Sequence, residues 1–548
     1  MSKLILGLAL VLMARLGVAQ KAAPADIILT DGKIFTADEA RPYVQALAIR
    51  GERIVAVGTT ADISRLAGPR TRRIDLRGRT VVPGFNDAHD HLPPNAPAGR
   101  HFAFPAAPMI PGPTRQQVLD TLARLVQLTP PGTWLQGDIG LTVLLDPDFR
   151  RATLDRVAPA HPVMIKPPWG HGNILNSKAL QLLGIADDAP DPVGGRYERV
   201  AGTRQLTGLL QEYADWNARQ QLHATLPDAA WVRQLQQYGN GALALGITSV
   251  QNMAGELPPA QLLRVVQAAR LPLRHRIMPL PMTSTSGIRR GEWAGISPQP
   301  APLTRVAGRK YILDATPLEG GALMRRPYPG RPGWYGRLNF PVDTVRQLLR
   351  TALTGPEPLM LHVSGDSTAS LVLRLMSGLA DDATWRRKRV RFEHGDGLAA
   401  DLQPRAKALG IVVVQNPSHF VNPALSGAPN GISFVPPFRS LLAAGIPFAL
   451  GSDGPMNPFL NIMFATTLAQ PGEALTREQA VRAYTAGSAY AEFAEQDKGT
   501  LSPGKLADLA VLSQDIFTVP TPALPGTVSE LTMIGGKVLY EAKASASR

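Results

Sequence analysis

Cysteine is missing altogether from this 548-residue chain. No disulfide can form and no lipid can be attached at a cysteine, and the absence says nothing about the redox compartment. Beyond residue 19 no apolar run is long enough to cross a bilayer, so stable membrane insertion of the mature chain is not expected. A nucleic-acid motif and a long basic run are also missing. The formal charge of +14 comes mostly from scattered arginines and reads as a basic solvated surface rather than a nucleic-acid footprint. There is no internal repeat. The one biased stretch is the proline-rich PPNAPAGRHFAFPAAPMIPGP at residues 93–113, which reads as a long loop. A chain of this length can bury a large core and is expected to hold more than one domain. Its 51 glycines and 50 prolines suit many loops joining many short elements.

The N-terminus reads as a secretory signal over residues 1–19. Lys3 supplies the positive start, LILGLALVLMARLGVA the apolar stretch, and Gly17 and Ala19 the small residues of a cut after Ala19. Arg15 interrupts the run and makes it short for an uncleaved anchor. Export, to the periplasm, is the expectation. Residues 25–84 then alternate as β-structure does, in ADIILTDGKIFTA, QALAIRG, GERIVAVG and RRIDLRGRTVVPG, with Gly32, Gly51, Gly58 and Gly78 placed for turns. GTLSPGKLADLAVLS and VSELTMIGGKVLYE have the same texture. The two ends are therefore expected to build one small β-domain, from 25–84 plus 495–542, beside a central region at 85–494.

That central region carries a set of metal-ligating residue types, each at the end of a short apolar run. His89-Asp90-His91 closes VVPGFNDAHDHL, Lys310 lies in GRKYILD, His362 in PLMLHVSG, His394 in RVRFEHG and Asp453 in IPFALGSDGP. Residues i and i+2 of a strand share a face, so His89 and His91 can address one ion while Asp90 points away. The intervals from Lys310 to His362 and from His362 to His394 each fit one strand–helix–loop unit. The interval from His394 to Asp453 fits two, with GIVVVQNP (410–417) as the strand between. The pattern predicts an α/β fold, a (β/α)8 TIM barrel. Its second and third strands are GITSVQNM (246–253) and PLRHRIMPL (272–280), and Lys310, His362, His394 and Asp453 end strands four, five, six and eight. The C-terminal ends of the strands are the catalytic face of such a barrel. The gap between strands one and two is too long for one unit and predicts an inserted subdomain at about 97–230.

With these motifs the chain resembles the metal-dependent amidohydrolase superfamily, and within it the branch (amidohydrolase family 3) that includes N-substituted formamide deformylase. The resemblance runs from ADIILTDGKIFT and VVPGFNDAHDHL through GHGNILNSKALQLLGI, KYILDATPLEGGALMRRPY, LHVSGD, RFEHGD, QNPSHF and LGSDGP to GTLSPGKLADLAVL. It implies a barrel with a small β-sandwich from both chain ends. It also implies hydrolysis of an amide-like C–N bond with one or two divalent metal ions, zinc being the expected metal for imidazole and carboxylate ligands. The branch commonly reads Asp-Gly after the strand-four lysine, whereas this chain has Asp314-Ala315, which puts the pocket shape there in question.

The expected ligands are His89, His91, Lys310, His362, His394 and Asp453. An ammonium cannot bind a cation. A desolvated lysine near a metal can instead take up CO₂, and the N6-carboxylated Lys310 would bridge two ions. The other reading is an unmodified Lys310 paired with an acid such as Asp314. Asp453 is the expected general base, taking a proton from the attacking water and passing it to the leaving nitrogen. His171, in GHGN, matches a substrate-facing position and could polarise a carbonyl, and His419 in QNPSHF is a weaker candidate. Trp169, Tyr328 and Trp334 are candidate pocket aromatics, and Asp366 and Asp314 candidate partners behind the ligands. The substrate is expected to be a small molecule: an N-substituted formamide, amide or cyclic amide. A lactone or ester substrate on the same centre, or a binding protein without catalysis, are the alternatives. A homo-oligomer is compatible with the sequence.

Overall fold

The computed structural model describes residues 23–92, 99–104, 112–167, 171–420, 436–468 and 471–543. The expected signal at 1–19, Trp169 and much of the proline-rich stretch lie outside them. Short apolar runs such as LMLHV (Leu359–Val363) and VVVQ (Val412–Gln415) become strands buried along their whole length, as parallel sheets covered on both faces require. Two all-parallel sheets result. One orders Thr304–Val306, Arg274–Pro279, Ile247–Ala254 and Phe85–Asp90. The other orders Arg309–Ile312, Leu359–Val363, Arg391–His394, Val412–Gln415 and Phe448–Leu450.

The sheets approach each other at both seams. Thr304–Val306 and Arg309–Ile312 are separated only by Ala307 and Gly308, with Gly308 at φ 97°. The first piece pairs with Arg274–Pro279 and the second with Leu359–Val363, so the expected fourth strand is split between the sheets. At the other seam the Asp453 N–H donates to His89 O at 2.9 Å, and the Ser452 N–H donates to Asp87 Oδ1 at 2.8 Å. Helices lie between the strands. In Val342–Thr354 the buried residues Val345, Leu348, Leu349 and Ala352 recur at helical spacing, the apolar stripe that seats such a helix on a sheet. No helix among the described residues is long and apolar enough to cross a membrane.

The chain ends do share a sheet. Its order is Lys537–Glu541, Ser529–Ile534, Leu509–Leu512, Thr80–Pro83, Lys33–Phe35, Tyr43–Val44. The two ends meet where Leu509 faces Pro83 and Val511 faces Val81. A second sheet holds Ala25–Thr30, Ala46–Arg50, Arg53–Gly58 and Ala67–Asp75. One buried cluster mixes Leu29, Leu47 and Ile54 with Val81, Leu509 and Met533. Of the four glycines expected in turns, Gly51 and Gly78 do have positive φ (57° and 77°). Gly32 is instead required by packing, since a Cβ there would lie 2.3 Å from Leu76 Cδ1. Between Phe85–Asp90 and Ile247–Ala254 stands a six-stranded sheet, from Arg100–Phe102 to Leu206–Glu212, with apolar clusters of its own.

Candidate metal centre

The ligand candidates gather at one end of the parallel strands. His89 and His394 sit at or next to the last residue of their strands, and Asp453 lies just past Phe448–Leu450. Donor atoms of His89, His394 and Asp453 lie within 4.8 Å of one another. Asp453 stands between the first two histidines, 3.6 Å from His91 Nε2 and 3.9 Å from His89 Nε2. The His362 and His394 ring centroids are 4.5 Å apart. Gly451 permits the approach, because a Cβ there would lie 2.4 Å from His89 N. His394 and Asp453 have φ of 66° and 44°. Such backbone is uncommon for residues with a Cβ and tends to persist where the surrounding structure holds a functional geometry. Asp453 is thus no simple turn cap, and Asp90 stands apart, accepting from Tyr238 Oη at 2.7 Å.

Lys310 is placed differently from the expectation. It is the second residue of Arg309–Ile312, in register with Met360, whereas Ile312 is in register with His362. It therefore starts about 6.6 Å below the histidine level, two residues of strand rise, a span its long side chain can cover. It is only 2% exposed. Burial takes its ammonium from 10.5 down to about 8, against the pull of Glu393 and Asp453. It does not pair with Asp314. That fully buried carboxylate accepts the Ser364 and Gly365 N–H groups at 3.0 and 2.8 Å and Thr368 Oγ1 at 2.7 Å, and it lies 3.9 Å from His362 Nε2.

Hydrogen bonds behind the ring fix which nitrogen each of the first two histidines presents. His89 Nδ1 is 2.6 Å from Glu393 Oε2 and His91 Nδ1 is 2.9 Å from Met253 O. Both oxygens accept, so both Nδ1 atoms carry a proton and Nε2 is the nitrogen each ring turns toward Asp453. Glu393 is anchored in turn by Arg391, Nε to Oε1 at 2.7 Å and Nη2 to Oε2 at 3.0 Å. Burial alone would raise Glu393, but Arg391, His89 and Lys310 together outweigh it and hold the carboxyl down to about 2. Burial lowers His362 and His394 well below the usual range and takes His91 to about 3. It would raise Asp453, but His89, His91, His419 and Lys310 outweigh it and keep that carboxyl ionised far below its ordinary value. Neutral imidazoles around an ionised carboxylate are the protonation states a divalent ion requires. The buried Nδ1 of His394 has no hydrogen-bond partner among the described residues. The donor set fits one or two divalent ions.

A cavity of about 640 Å³ opens onto the cluster. His171 lines it, its ring centroid 4.7 Å from that of His362. Burial would lower His171, but Glu212, 3.0 Å from Nδ1, outweighs it and raises the imidazolium to about 9. His419 joins as well, stacked on His394 at 5.3 Å with Nε2 3.5 Å from Asp453 Oδ2. Other expectations are corrected. Tyr328 and Trp334 do not line the cavity. Their Oη and Nε1 donate to Ala322 O and Gly320 O at 2.8 and 2.7 Å, because aromatic donors drawn into a packed loop take the nearest carbonyls. Asp366 holds no histidine. It opens the Asp366–Ser377 helix and accepts the Arg325 N–H at 2.7 Å, a first-turn position that favours a carboxylate by itself. Ala315 leaves the cavity wall unchanged, its methyl facing Gly321, where a Cβ would lie 2.4 Å from it.

Glu393, Glu212 and Trp216 escaped the sequence reading. A signal existed for Glu393: Arg391 and Glu393 place opposite charges on one face of a fully buried strand, which such strands tolerate only as a bonded pair. Glu212 and Trp216 carry no such mark.

Comparison with known proteins agrees with this geometry. The family model described as amidohydrolase family matches residues 72–540. The chain is 28% identical to N-substituted formamide deformylase of Arthrobacter pascens, over 95% of this chain and 99% of that one. It is 26% identical to protein LONG AFTER FAR-RED 3 of Arabidopsis thaliana, over 94% and 92%. Its fold is that of an uncharacterized metal-dependent hydrolase from Pyrococcus horikoshii OT3, with a TM-score of 0.69 at 19% identity, over 90% of this chain and 99% of that one. The chain belongs to the amidohydrolase family and is a metal-dependent amidohydrolase.

Proposed function

We propose that the protein hydrolyses the C–N bond of an N-substituted formamide, amide or cyclic amide, at a centre built on His89, His91, Lys310, His362, His394 and Asp453. The two parallel sheets are read as one (β/α)8 barrel, with strand four split at Gly308, and the terminal sheets as a β-sandwich. The carrying observation is the meeting of His89, His394 and Asp453 donor atoms within 4.8 Å on the wall of the cavity. The name of the Arthrobacter relative supports the bond class. One or two divalent ions held there, zinc being the metal such ligands suit, would acidify water and polarise a carbonyl. Lys310, buried and depressed, is read as the N6-carboxylated bridging residue. Asp453, held ionised, takes the proton of the attacking water and delivers it to the departing nitrogen. His171, held as a donor by Glu212, faces the carbonyl oxygen and stabilises the charge that develops there. Glu393 and the Met253 carbonyl keep His89 and His91 in the ligating tautomer.

A turnover screen of metal-loaded protein on matched formamides, cyclic amides, lactones and esters tests the bond class. Amine release is expected, and alcohol release alone would overturn it. Replacing His89 and His91 together by alanine is expected to abolish tight metal binding, and full occupancy would remove the pair from the centre. Residues 1–19 are read as an export signal, so the protein is expected in the periplasmic fraction; retention of the whole chain inside the cell would refute that.

A further inference from the structure

The cavity continues past the histidines to a second group of charges that the hydrolytic chemistry does not use. Trp216 marks the passage, its ring centroid 5.1 Å from that of His91, with the Arg219 guanidinium 3.8 Å over it. Arg219 is committed to two acids, Nη1 2.7 Å from Glu256 Oε1 and Nε 3.4 Å from Asp215 Oδ2. Glu256 also meets His223 Nδ1 at 3.2 Å, and Asp215 accepts from Asn173. Asp138 lies 3.7 Å from His101 Nε2. Lys166 is the exception. It ends the Val163–Lys166 strand, lines the cavity and is in register with Asp138. Among the described residues, no carboxylate comes within the 4.0 Å of an ion pair to its ammonium. Lys166 is thus the cavity cation that neither the metal centre nor an ion pair employs. Lys166 is half-buried in the cavity wall, so its ammonium is open to an anion or water that enters from the cavity.

We infer that Lys166 anchors a carboxylate carried by the substrate away from the scissile bond, with the Trp216 face supporting the segment between. This names the substrate class of the hydrolase reading and rests on it. A monoanion fits better than a phosphate, because Asp138, Asp215 and Glu256 all act on Lys166 at longer range and would repel a second negative charge. Burial and the Arg219 charge lower the Lys166 ammonium, and a bound carboxylate opposes both.

The test uses metal-loaded protein and a series of ω-formamido acids with one to five methylenes, each paired with its primary carboxamide. Binding is read by calorimetry and turnover by amine release. The acid of one chain length is expected to bind roughly tenfold or more tighter than its carboxamide, as a hydrogen bond to a charged group is worth. Lys166→Met should erase that preference by weakening the acid and leaving the carboxamide within about twofold, while Lys166→Arg should keep it. Metal content measured on each variant, and Lys166→Gln as a second neutral replacement, guard against misfolding. No preference for any acid in the native protein, or equal weakening of acid and carboxamide in the neutral variants, overturns the inference. If inorganic phosphate competes with the acid better than acetate does, the carboxylate assignment falls. The two readings fail separately: Lys166-dependent binding without amine release would sink the formamide reading alone. Equal turnover of acid and carboxamide, unchanged in Lys166→Met, would sink the anchor alone.

Discussion

Replacing Glu393 by glutamine tests the centre through a residue that touches no substrate. The side chain keeps its shape and loses its charge. Both carboxylate oxygens are in use: Oε1 accepts from Arg391 Nε at 2.7 Å, and Oε2 accepts from Arg391 Nη2 at 3.0 Å and lies 2.6 Å from His89 Nδ1. A glutamine has one acceptor oxygen, so its NH₂ must confront either Arg391 Nε–H, or Nη2–H and His89 Nδ1–H. His89 can escape the second clash only by moving its proton to Nε2, the nitrogen that faces Asp453, and a protonated nitrogen cannot ligate. Loss of a partner behind a ligand typically lowers metal affinity about 10–100-fold. Both Arg391 and Glu393 are fully buried, and removing one member of such a pair costs about 3–5 kcal/mol. The assays are metal Kd by chelator competition and stability from denaturant midpoints of the metal-free protein. Arg391 also donates to Gln251 Oε1 at 2.5 Å and Ala88 O at 2.7 Å. The double variant Arg391→Met/Glu393→Gln should therefore recover stability only in part, while its glutamine oxygen, freed from Arg391, can accept from His89 Nδ1 and restore part of the metal affinity. A Glu393→Gln protein with a metal Kd within twofold of the native value would refute the tautomer argument. An unchanged midpoint would refute the buried-pair argument.

Asp453→Asn is nearly isosteric but accepts no proton, so kcat is expected to fall roughly 10²-fold or more, and an active variant with a native pH profile would remove Asp453 from the chemistry. Lys310→Ala should lose at least one ion if the lysine is a bridging carbamate, with partial rescue by short carboxylic acids; a bare ammonium in metal-loaded crystals grown above neutral pH with bicarbonate would refute the bridge. Glu256→Gln should cost about 3 kcal/mol at neutral pH by leaving buried Arg219 short of an acid. Burial would raise Glu256, but Arg219, His223 and Lys166 together outweigh it and hold it below its ordinary 4.5, so the native-minus-variant difference should be full above pH 4.5 and shrink as pH falls further. Parallel stability curves across that range would show that Glu256 is not depressed in the folded protein.

The residues that cluster at the cavity were legible along the chain because short apolar runs ending in histidine, lysine or aspartate carry their own punctuation. Strand alternation alone put His89 and His91 on a common face and Asp90 elsewhere. The pairing of the two chain ends also followed from local texture, since period-two alternation belongs to single strands. Which groups stand behind the ligands was decided only by tertiary structure. Glu393 meets His89 and Glu212 meets His171 across large sequence separations, and no local rule encodes such meetings. The same holds for Asp366 and Asp314, two acids of similar local standing. A helix start claimed the first, and the converging N–H groups of Ser364 and Gly365 claimed the second. Aromatic residues misled for a related reason: Tyr328, Trp334 and Trp216 are equally apolar in sequence, and whether a ring faces a cavity or a loop depends on how separate elements pack. The chemistry of the residues was written in the chain, but which charges share one buried space, and so which protons are held, depended on the fold that brings distant strands within a few ångströms.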